Sequence, residues 1–494
     1  MESTIVRYHQ IKVNLSGGIV SVGDLVQILE MLESLGVENI RFGTRQQLYF
    51  SAITSHLEHI EHHFLIMGID FETDAEEYPN IVSSYAAEDL FNSTGWLREG
   101  VYRDILDKFN YSPKLKINLV DDSQTLVPFF SGNLNFISSD IGNYWHLYVR
   151  FPKTNVIHYW SSLIYSEDIA IISKTIERTI EQNTHNVPDQ MDGQLLEKAV
   201  NINNSFQFQA PSASLKLPDF QLPYYEGFNK YNEMYWLGIY RRNELFPVPF
   251  LKDLCGICSK TRIGQIYTTP WKSVIIKGVA PADRKLWNAV LDKHRINVRH
   301  ASNELNWQTE DLCEESLQLK HELIRAFNES DLRTFKLCFA IKINPKSGLF
   351  GSVIIRKQTT IQHGDAEALF DLLHTADFNP NARHYFPYAE SIRKEDLLPA
   401  LARLCENYYQ IQTNNIGKQA DSYYEDNNNT ELETTYMYQC DCCLTIYDEA
   451  WGEESRGIPA GVPFSDLPED YCCPLCEADR TQFTQIIKGN LSTF

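Results

Sequence analysis

Two short stretches decide the fold at one end of the chain: YQCDCC at residues 438–443 and YCCPLC at residues 471–476. Each contains a C-x-x-C pair, Cys440 with Cys443 and Cys473 with Cys476, and 29 residues separate the pairs. A C-x-x-C pair wraps a tight turn around one side of a metal ion, so two pairs present four thiolates tetrahedrally. Four sulfurs in that geometry indicate zinc or iron. The sequence therefore predicts a small metal module here.

The residues around these pairs resemble the rubredoxin family of one-iron electron carriers over about residues 436–486. The resemblance rests on the run GIPAGVPFSDLPEDY at 457–471 and on a set of aromatic residues expected to form a core: Tyr438, Tyr447, Phe464, Tyr471 and Phe483. It implies a single iron held by four thiolates: Cys440, Cys443, Cys473 and Cys476. Cys442 and Cys472 fall outside the family pattern, and we expect them not to bind the metal.

Two features of the module bear on its chemistry. Residues 436–486 hold ten acids against two arginines, which is typical of a surface that docks briefly onto a basic redox partner. Leu444 and Glu477 stand where the family usually has a glycine after the second and fourth ligands. Glycine allows a positive φ there, so its replacement leaves structural zinc open as an alternative to iron.

The rest of the chain carries an internal duplication. The stretch Gly43–Phe50 has a counterpart about 225 residues later in Thr268–Ile275: both have a threonine, then a cation, then an apolar strand. A helical pattern precedes each copy, and a longer region with α/β character follows each. The sequence thus predicts a small α+β unit with a larger lobe, present twice.

The duplicated body resembles the nitrite/sulfite reductase family over roughly residues 10–415. Four motifs carry the resemblance: IRFGTRQQ at 40–47, PNI at 79–81, PKLKI at 113–117 and IYTTPWK at 266–272. It implies an α+β fold with two ferredoxin-like half-domains and two α/β lobes around siroheme. The expected segments are half-domain 1 (1–72), lobe 1 (73–220), half-domain 2 (221–300), lobe 2 (301–413), an acidic linker (414–435) and the rubredoxin-like module (436–490).

Four cations match the basic residues with which the family binds its cofactor and anions: Arg45, Lys114, Lys116 and, at the pseudo-equivalent position in the second half, Lys272. Siroheme carries eight carboxylates, and sulfite and nitrite are anions, so cations suit such a site. The alternative interpretation is that these are solvated side chains flanking strands. The sequence identifies no catalytic residue.

The cysteine spacing of the body departs from that family. The family holds a four-iron cluster and siroheme with C-x5-C followed by C-x3-C, whereas Cys313, Cys338 and Cys405 are spaced too widely. Cys255 and Cys258 lie on the wrong side of the second motif and lack a second pair. We therefore expect no four-iron cluster, and siroheme is doubtful.

Composition sets further bounds. The 494 residues carry 44 Lys+Arg against 65 Asp+Glu, a net charge of −21, which argues against a nucleic-acid partner. We expect no membrane partner, because no stretch approaches the roughly 20 apolar residues of a membrane span. The odd count of eleven cysteines and the lack of a signal-peptide pattern favour a reduced, cytoplasmic protein.

Three functional hypotheses follow. The first is an electron-transfer protein whose rubredoxin centre delivers single electrons to a reductase, in nitrate, nitrite or sulfite assimilation by fold analogy. Its partners would be that reductase and an electron donor. The second is a cluster-less siroheme or other tetrapyrrole enzyme fed in cis by its rubredoxin module. The third is a binding protein with a structural zinc ribbon. The sequence does not identify the donor, the acceptor or the oligomeric state.

Overall fold

The computed structural model describes these residues: 7–92, 95–154, 156–183, 192–201, 206–300, 302–344, 348–358, 368–382, 384–425, 436–442, 445–453, 456–474, 476 and 478–487. The chain divides into two compact units, Met1–Tyr409 and Gln410–Phe494. We call the first unit the body and refer to the described residues from 436 onward as the module. Among the described helices, none combines the length and apolarity that crossing a bilayer requires.

The strands, in chain order, are β1 (Tyr8–Val13), β2 (Ile19–Ser21), β3 (Asn39–Phe42), β4 (Leu48–Ile53), β5 (Phe71–Thr73), β6 (Val82–Ser83), β7 (Ile117–Val120), β8 (Leu134–Ser138), β9 (Tyr144–Arg150), β10 (Ile157–Tyr159), β11 (Leu163–Tyr165), β12 (Phe208–Gln209), β13 (Gly227–Tyr231), β14 (Met234–Ile239), β15 (Phe246–Pro247), β16 (Gln265–Thr268), β17 (Val274–Val279), β18 (Trp307–Thr309), β19 (Phe339–Lys342), β20 (Val353–Lys357), β21 (Leu369–Thr375), β22 (Tyr385–Arg393), β23 (Tyr436–Cys440), β24 (Ile446–Tyr447) and β25 (Phe483–Ile487).

The α-helices are α1 (Val22–Ser34), α2 (Leu57–Met67), α3 (Glu99–Asp107), α4 (Ile169–Asn183), α5 (Gly193–Asn201), α6 (Val248–Lys260), α7 (Arg284–Lys293), α8 (Ser302–Leu305), α9 (Glu314–Glu329) and α10 (Leu397–Glu425). Helix α10 continues into the segment that the sequence predicts to be a linker, whose residues 426–435 lie outside the described part. The predicted domain boundaries stay predictions.

Two five-stranded sheets, one in each half-domain, confirm the duplication. They also show that the two halves exchange strands. Their orders are β15-β3-β4-β1-β5 and β2-β16-β17-β14-β13, so each position in one sheet has a counterpart in the other. The short strands that precede α1 and α6 each pair with the sheet of the other half: β2 pairs with β16, and β15 pairs with β3. Neither half-domain sheet is complete without a strand from the other half.

The two helices that follow the exchanged strands pack together in one core. Helix α6 begins at Val248, 226 residues after α1 begins at Val22, and both helices have 13 residues. The Ser21 hydroxyl accepts a hydrogen bond from the Asp24 amide at the start of α1 (2.9 Å). Leu25 and Leu29 of α1 and Leu251 and Leu254 of α6 are buried in this shared core, which makes the half-domains one folding unit.

Each lobe is built on a mixed sheet. In lobe 1, β6, β7 and β8 are parallel and β9 is antiparallel to β8. In lobe 2, β18, β19 and β20 are parallel and β21 and β22 continue antiparallel. Both lobes have the same succession of parallel and antiparallel strands. The duplication therefore extends to the whole body.

The module has its own sheet and core. Its three strands are ordered β24-β23-β25. The core consists of Tyr447, Ile458, Phe464, Leu467 and Tyr471, with Tyr438, Val462 and Phe483 packed against it. All five aromatic residues expected to form this core therefore do so.

Candidate functional site

Three of the four predicted metal ligands converge in the module. Cys440 ends β23, whereas Cys473 and Cys476 lie in the loop before β25. The Sγ atoms of these three residues all lie within 4.8 Å of one another, and those of Cys440 and Cys476 are 3.6 Å apart. The fourth predicted ligand, Cys443, lies outside the described residues, as do Leu444 and Glu477 at the two positions where glycine is replaced.

The sulfur geometry fits a metal bound by thiolates. Four sulfurs arranged tetrahedrally at about 2.3 Å from a metal are separated by about 3.8 Å, close to the distance between Cys440 and Cys476. Cys440 and Cys473 are buried, while Cys476 is exposed. A metal here would be enclosed by protein on one side and lie near the surface at Cys476.

Backbone hydrogen bonds and an aromatic core hold this site in place. The amide of Cys440 donates to the carbonyl of Thr445, and the amide of Cys473 donates to that of Ala478; both distances are 2.8 Å. The rings of Tyr438 and Phe464 stack with their centroids 4.0 Å apart. Packed aromatic rings exclude water, and a dry, rigid surround keeps ligand positions the same in both oxidation states of a metal.

The two additional cysteines of the module lie outside the converging group. Cys442 is exposed and Cys472 is half-buried, and neither belongs to the cluster of thiols that are close enough to share a metal ion. That neither residue binds the metal stays a prediction.

In the body, Arg45, Lys114 and Lys116 line the same cavity of about 330 Å³, the larger of two adjoining cavities, which we call the large cavity. The side chain of Arg45 is hydrogen-bonded within the protein. Its guanidinium donates to the carbonyls of Asn80 (2.8 Å) and Ile117 (2.9 Å) and to the side chain of Asn118 (3.3 Å). Burial, followed by the positive charge of Arg150, lowers the pKa of Arg45.

The two lysines of the large cavity differ in their surroundings. Lys114 is exposed, and its ammonium lies 3.2 Å from the Glu77 carboxylate. Lys116 is exposed as well, and desolvation of its ammonium group, followed by the positive charges of Arg45 and Arg150, lowers its pKa. A role in cofactor or anion binding stays a prediction for both lysines.

Lys272 is not among the residues that line the large cavity. Its buried ammonium contacts the Glu244 carboxylate (2.8 Å), the Thr309 hydroxyl (3.1 Å) and the Glu310 carbonyl (3.0 Å). Burial alone would raise the pKa of Glu244, but the positive charges of Lys272 and Lys320 outweigh it, so that the pKa is lowered. Lys272 and Glu244 therefore form a buried ion pair.

The structure aligns the two copies of the turn one residue away from the sequence alignment of Gly43–Phe50 with Thr268–Ile275. Gly43 and Gln47 are bridged by a backbone hydrogen bond in the first copy, as Thr269 and Ser273 are in the second. That match places Gln46 opposite Lys272, and both have a positive φ, 66° and 54°. Gln46, rather than Gln47, is thus the counterpart of Lys272. That Lys272 takes part in anion or cofactor binding stays a prediction.

Sequence reasoning missed a second group of cations. Arg150, Lys342 and Arg356 line a smaller cavity of about 180 Å³, which shares Ser131 and residues 348–350 with the large one. Each cation stands at or next to the last residue of a strand that is mostly buried, in YWHLYVR, FAIK and VIIRK. That pattern is the signal by which the sequence could have revealed them.

Four of the five cysteines of the body, Cys255, Cys258, Cys338 and Cys405, are buried, and Cys313 is half-buried. Burial raises the pKa of Cys255, Cys338 and Cys405 to about 12 each. Among the described residues, the one group of three or more metal-binding side chains brought together is that of Cys440, Cys473 and Cys476.

The comparisons with known proteins agree with this geometry. Residues 437–483 match the family model described as Rubredoxin. The rubredoxin of Megasphaera elsdenii is 45% identical over 49 residues, which cover 92% of that protein and 10% of this chain. The high molecular weight rubredoxin of Moorella thermoacetica is 37% identical over 81 residues, 16% of this chain. The chain spans only about a third of the Moorella protein, 35% of its length.

A solved structure matches the body in fold. The NirA protein of Mycobacterium tuberculosis superimposes with a TM-score of 0.62 over 81% of this chain and 80% of that one, at 13% sequence identity. The expected nitrite/sulfite reductase-like architecture is confirmed at the level of the fold.

Proposed function

Because residues 437–483 make this chain a member of the rubredoxin family, we propose that it is an electron-transfer protein with one iron bound by Cys440, Cys443, Cys473 and Cys476. Iron held by four thiolates alternates between the ferric and ferrous states and so carries one electron. The observation that supports the proposal most directly is the convergence of three cysteine sulfurs within 4.8 Å.

The residues around the metal suit a carrier of single electrons. Cys440 and Cys473 are fixed in a dry core, which limits movement of the ligands when the charge on the metal changes. Cys476 is exposed and offers a short route between the metal and a docked partner. The excess of acidic residues in 436–486 favours a partner with a basic surface.

In this proposal, a one-electron donor reduces the centre, and the reduced centre passes that electron to a reductase. The NirA-like fold of the body supports a role in recognising that reductase, and nitrate, nitrite or sulfite assimilation is the pathway that the fold suggests. We place the protein in the cytoplasm because its chemistry needs reduced thiols.

The test is a cycle of chemical reduction and air reoxidation of the purified full chain, followed by visible absorption. We expect one electron to be taken up per iron, with bleaching and full recovery of the thiolate-to-iron bands. Cys473→Ser removes a buried sulfur of the cluster and should abolish iron binding, while the neighbouring Cys472→Ser is the matched control and should retain it. Equal loss of iron in both variants would contradict the ligand assignment.

A further inference from the structure

Four helices of the two half-domains form one layer, and we call α2, α1, α6 and α7 the helix layer. The apolar sides of all four belong to one core with both five-stranded sheets, so the helices cover the same side of those sheets. On the other side of the second sheet, Tyr267 and Ile275 belong to the core built on β6–β9. Within the described part of the chain, neither lobe core includes a residue of these helices. The outer side of the helix layer is therefore left to solvent.

The two halves of the helix layer carry opposite charge. Helices α1 and α2 hold five acids and no lysine or arginine, whereas α6 and α7 hold five lysines and arginines and two aspartates. The helices are counterparts in a duplicated unit, so the fold of that unit does not itself require either sign of charge. The acids are Asp24, Glu30, Glu33, Glu58 and Glu61; the cations are Lys252, Lys260, Arg284, Lys285 and Lys293.

Ion pairs between the helices show how they are oriented. Lys252, near the start of α6, pairs with Glu33 in the last turn of α1, so these two helices are antiparallel. Lys293, the last residue of α7, pairs with Asp253 near the start of α6, so α6 and α7 are antiparallel as well. Helix α2 is the counterpart of α7, because each follows a strand, β4 or β17, after one 3₁₀ turn. By that duplication α2 is antiparallel to α1.

The outermost helices keep charges that the layer does not neutralise. Glu58 and Glu61 of α2 are exposed, and so are Lys285 at the start of α7 and Arg295 just after its end. Among the residues that the structure describes, none of these four forms an ion pair. Like charges gathered on one side of a protein favour association with a surface of the opposite sign.

The same two helices expose apolar side chains at one edge of the layer. Leu65 and Ile66 in the last turn of α2 are 77% and 72% exposed, and Leu286 in the first turn of α7 is 49% exposed. The orientations derived above place the end of α2 and the start of α7 at the same edge. Exposed apolar side chains grouped beside unpaired charges are typical of a surface that binds another protein.

We propose that the helix layer is the interface of a two-fold symmetric dimer of this chain. When two layers face each other across an axis parallel to the helices, α2 of each copy lies over α7 of the other, and α1 lies over α6. Each acidic half then meets a basic half, and Leu65 and Ile66 face Leu286 of the partner subunit. The layer is thus complementary to itself, as a two-fold interface requires.

The size of the layer suits such an interface. Its helices have 10–13 residues. At about 9 Å between neighbouring axes and 1.5 Å of rise per residue, they cover roughly 600 Å² per copy. A dimer would bury about 1,200 Å² in total, which is the lower end of specific interfaces, so we expect a reversible equilibrium. The proposal concerns the body and is independent of the iron centre.

Sedimentation velocity of the purified full chain, over a range of protein concentrations, tests this proposal. We expect a monomer–dimer equilibrium whose dissociation constant rises at least tenfold between about 0.05 and about 0.5 M sodium chloride, because salt screens exposed charges. A chain that stays monomeric at every concentration in low salt would overturn the proposal.

Charge reversal identifies the surface. Glu58→Lys with Glu61→Lys adds cations to the acidic half, and Lys285→Glu with Arg295→Glu adds acids to the basic half. Each double variant alone should dimerise at least tenfold more weakly than the wild type, because like charges then meet. An equimolar mixture of the two should associate at least as tightly as the wild type, since opposite charges meet again at both contacts.

The matched control is Lys216→Glu with Lys230→Glu, two exposed lysines outside the helix layer, which should dimerise like the wild type. Leu65→Ser with Ile66→Ser removes the apolar contact and should weaken the dimer at least tenfold in low and in high salt. A mixture of the charge variants that stays monomeric, or a control as weak as those variants, would overturn the assignment of the helix layer.

Discussion

Lys272 shows why the function of a single residue cannot be assigned from its place in a sequence motif. The sequence puts this cation at the end of a reductase-like strand motif, which suggests a binding role. In the structure Lys272 does not line the large cavity, and its ammonium is paired with Glu244, a residue 28 positions earlier in the chain. The sequence contains both residues, but nothing in it reveals that the fold brings them together.

We expect Lys272→Met to destabilise the body by about 3–5 kcal/mol, because it removes the ion-pair partner of the buried Glu244 carboxylate and leaves only the charge of Lys320 to act on it. Combining it with Glu244→Gln removes the buried carboxylate charge and should recover part of the loss. Urea unfolding followed by far-UV circular dichroism measures both effects, with Lys230→Met, at an exposed lysine of β13, as the control. A Lys272→Met variant as stable as that control would show that the ion pair contributes nothing.

At the scale of elements, the exchanged strands β2 and β15 tie the two halves of the body together. The repeat of strand and helix patterns predicts the duplication, and the helices α1 and α6 lie where the apolar spacing indicates. The exchange itself was not predicted, because β2 and β15 have three and two residues and their pairing depends on tertiary contacts. Sequence patterns identify helices and strands more reliably than they identify which strands pair.

The exchange predicts that neither half of the body folds alone. A fragment of residues 1–220 lacks β15 and the contribution of α6 to the shared core, so we expect it to show no cooperative unfolding. Coexpression with residues 221–413 should restore a cooperative transition. The module, residues 436–490, is the positive control, since it has a core of its own. Cooperative unfolding of 1–220 alone would contradict the shared core.

At the scale of the whole molecule, the chain joins a rubredoxin module to a body with a nitrite/sulfite reductase-like fold. The module could be predicted almost completely from sequence, because cysteine spacing and aromatic positions directly reflect how a metal is bound. The cavities of the body could not be predicted, since residues that are distant in the chain line each of them: Arg150 ends β9 and Lys342 ends β19, yet both line the smaller cavity. Their convergence depends on how the two lobes pack.

We propose that the full chain carries one electron on a rubredoxin iron. Metal and tetrapyrrole analysis of the purified protein, combined with its absorption spectrum, is the decisive test. We expect one iron per chain, visible thiolate-to-iron bands and no Soret band. A colourless protein with one zinc per chain, or a Soret band from a tetrapyrrole in the body, would contradict it.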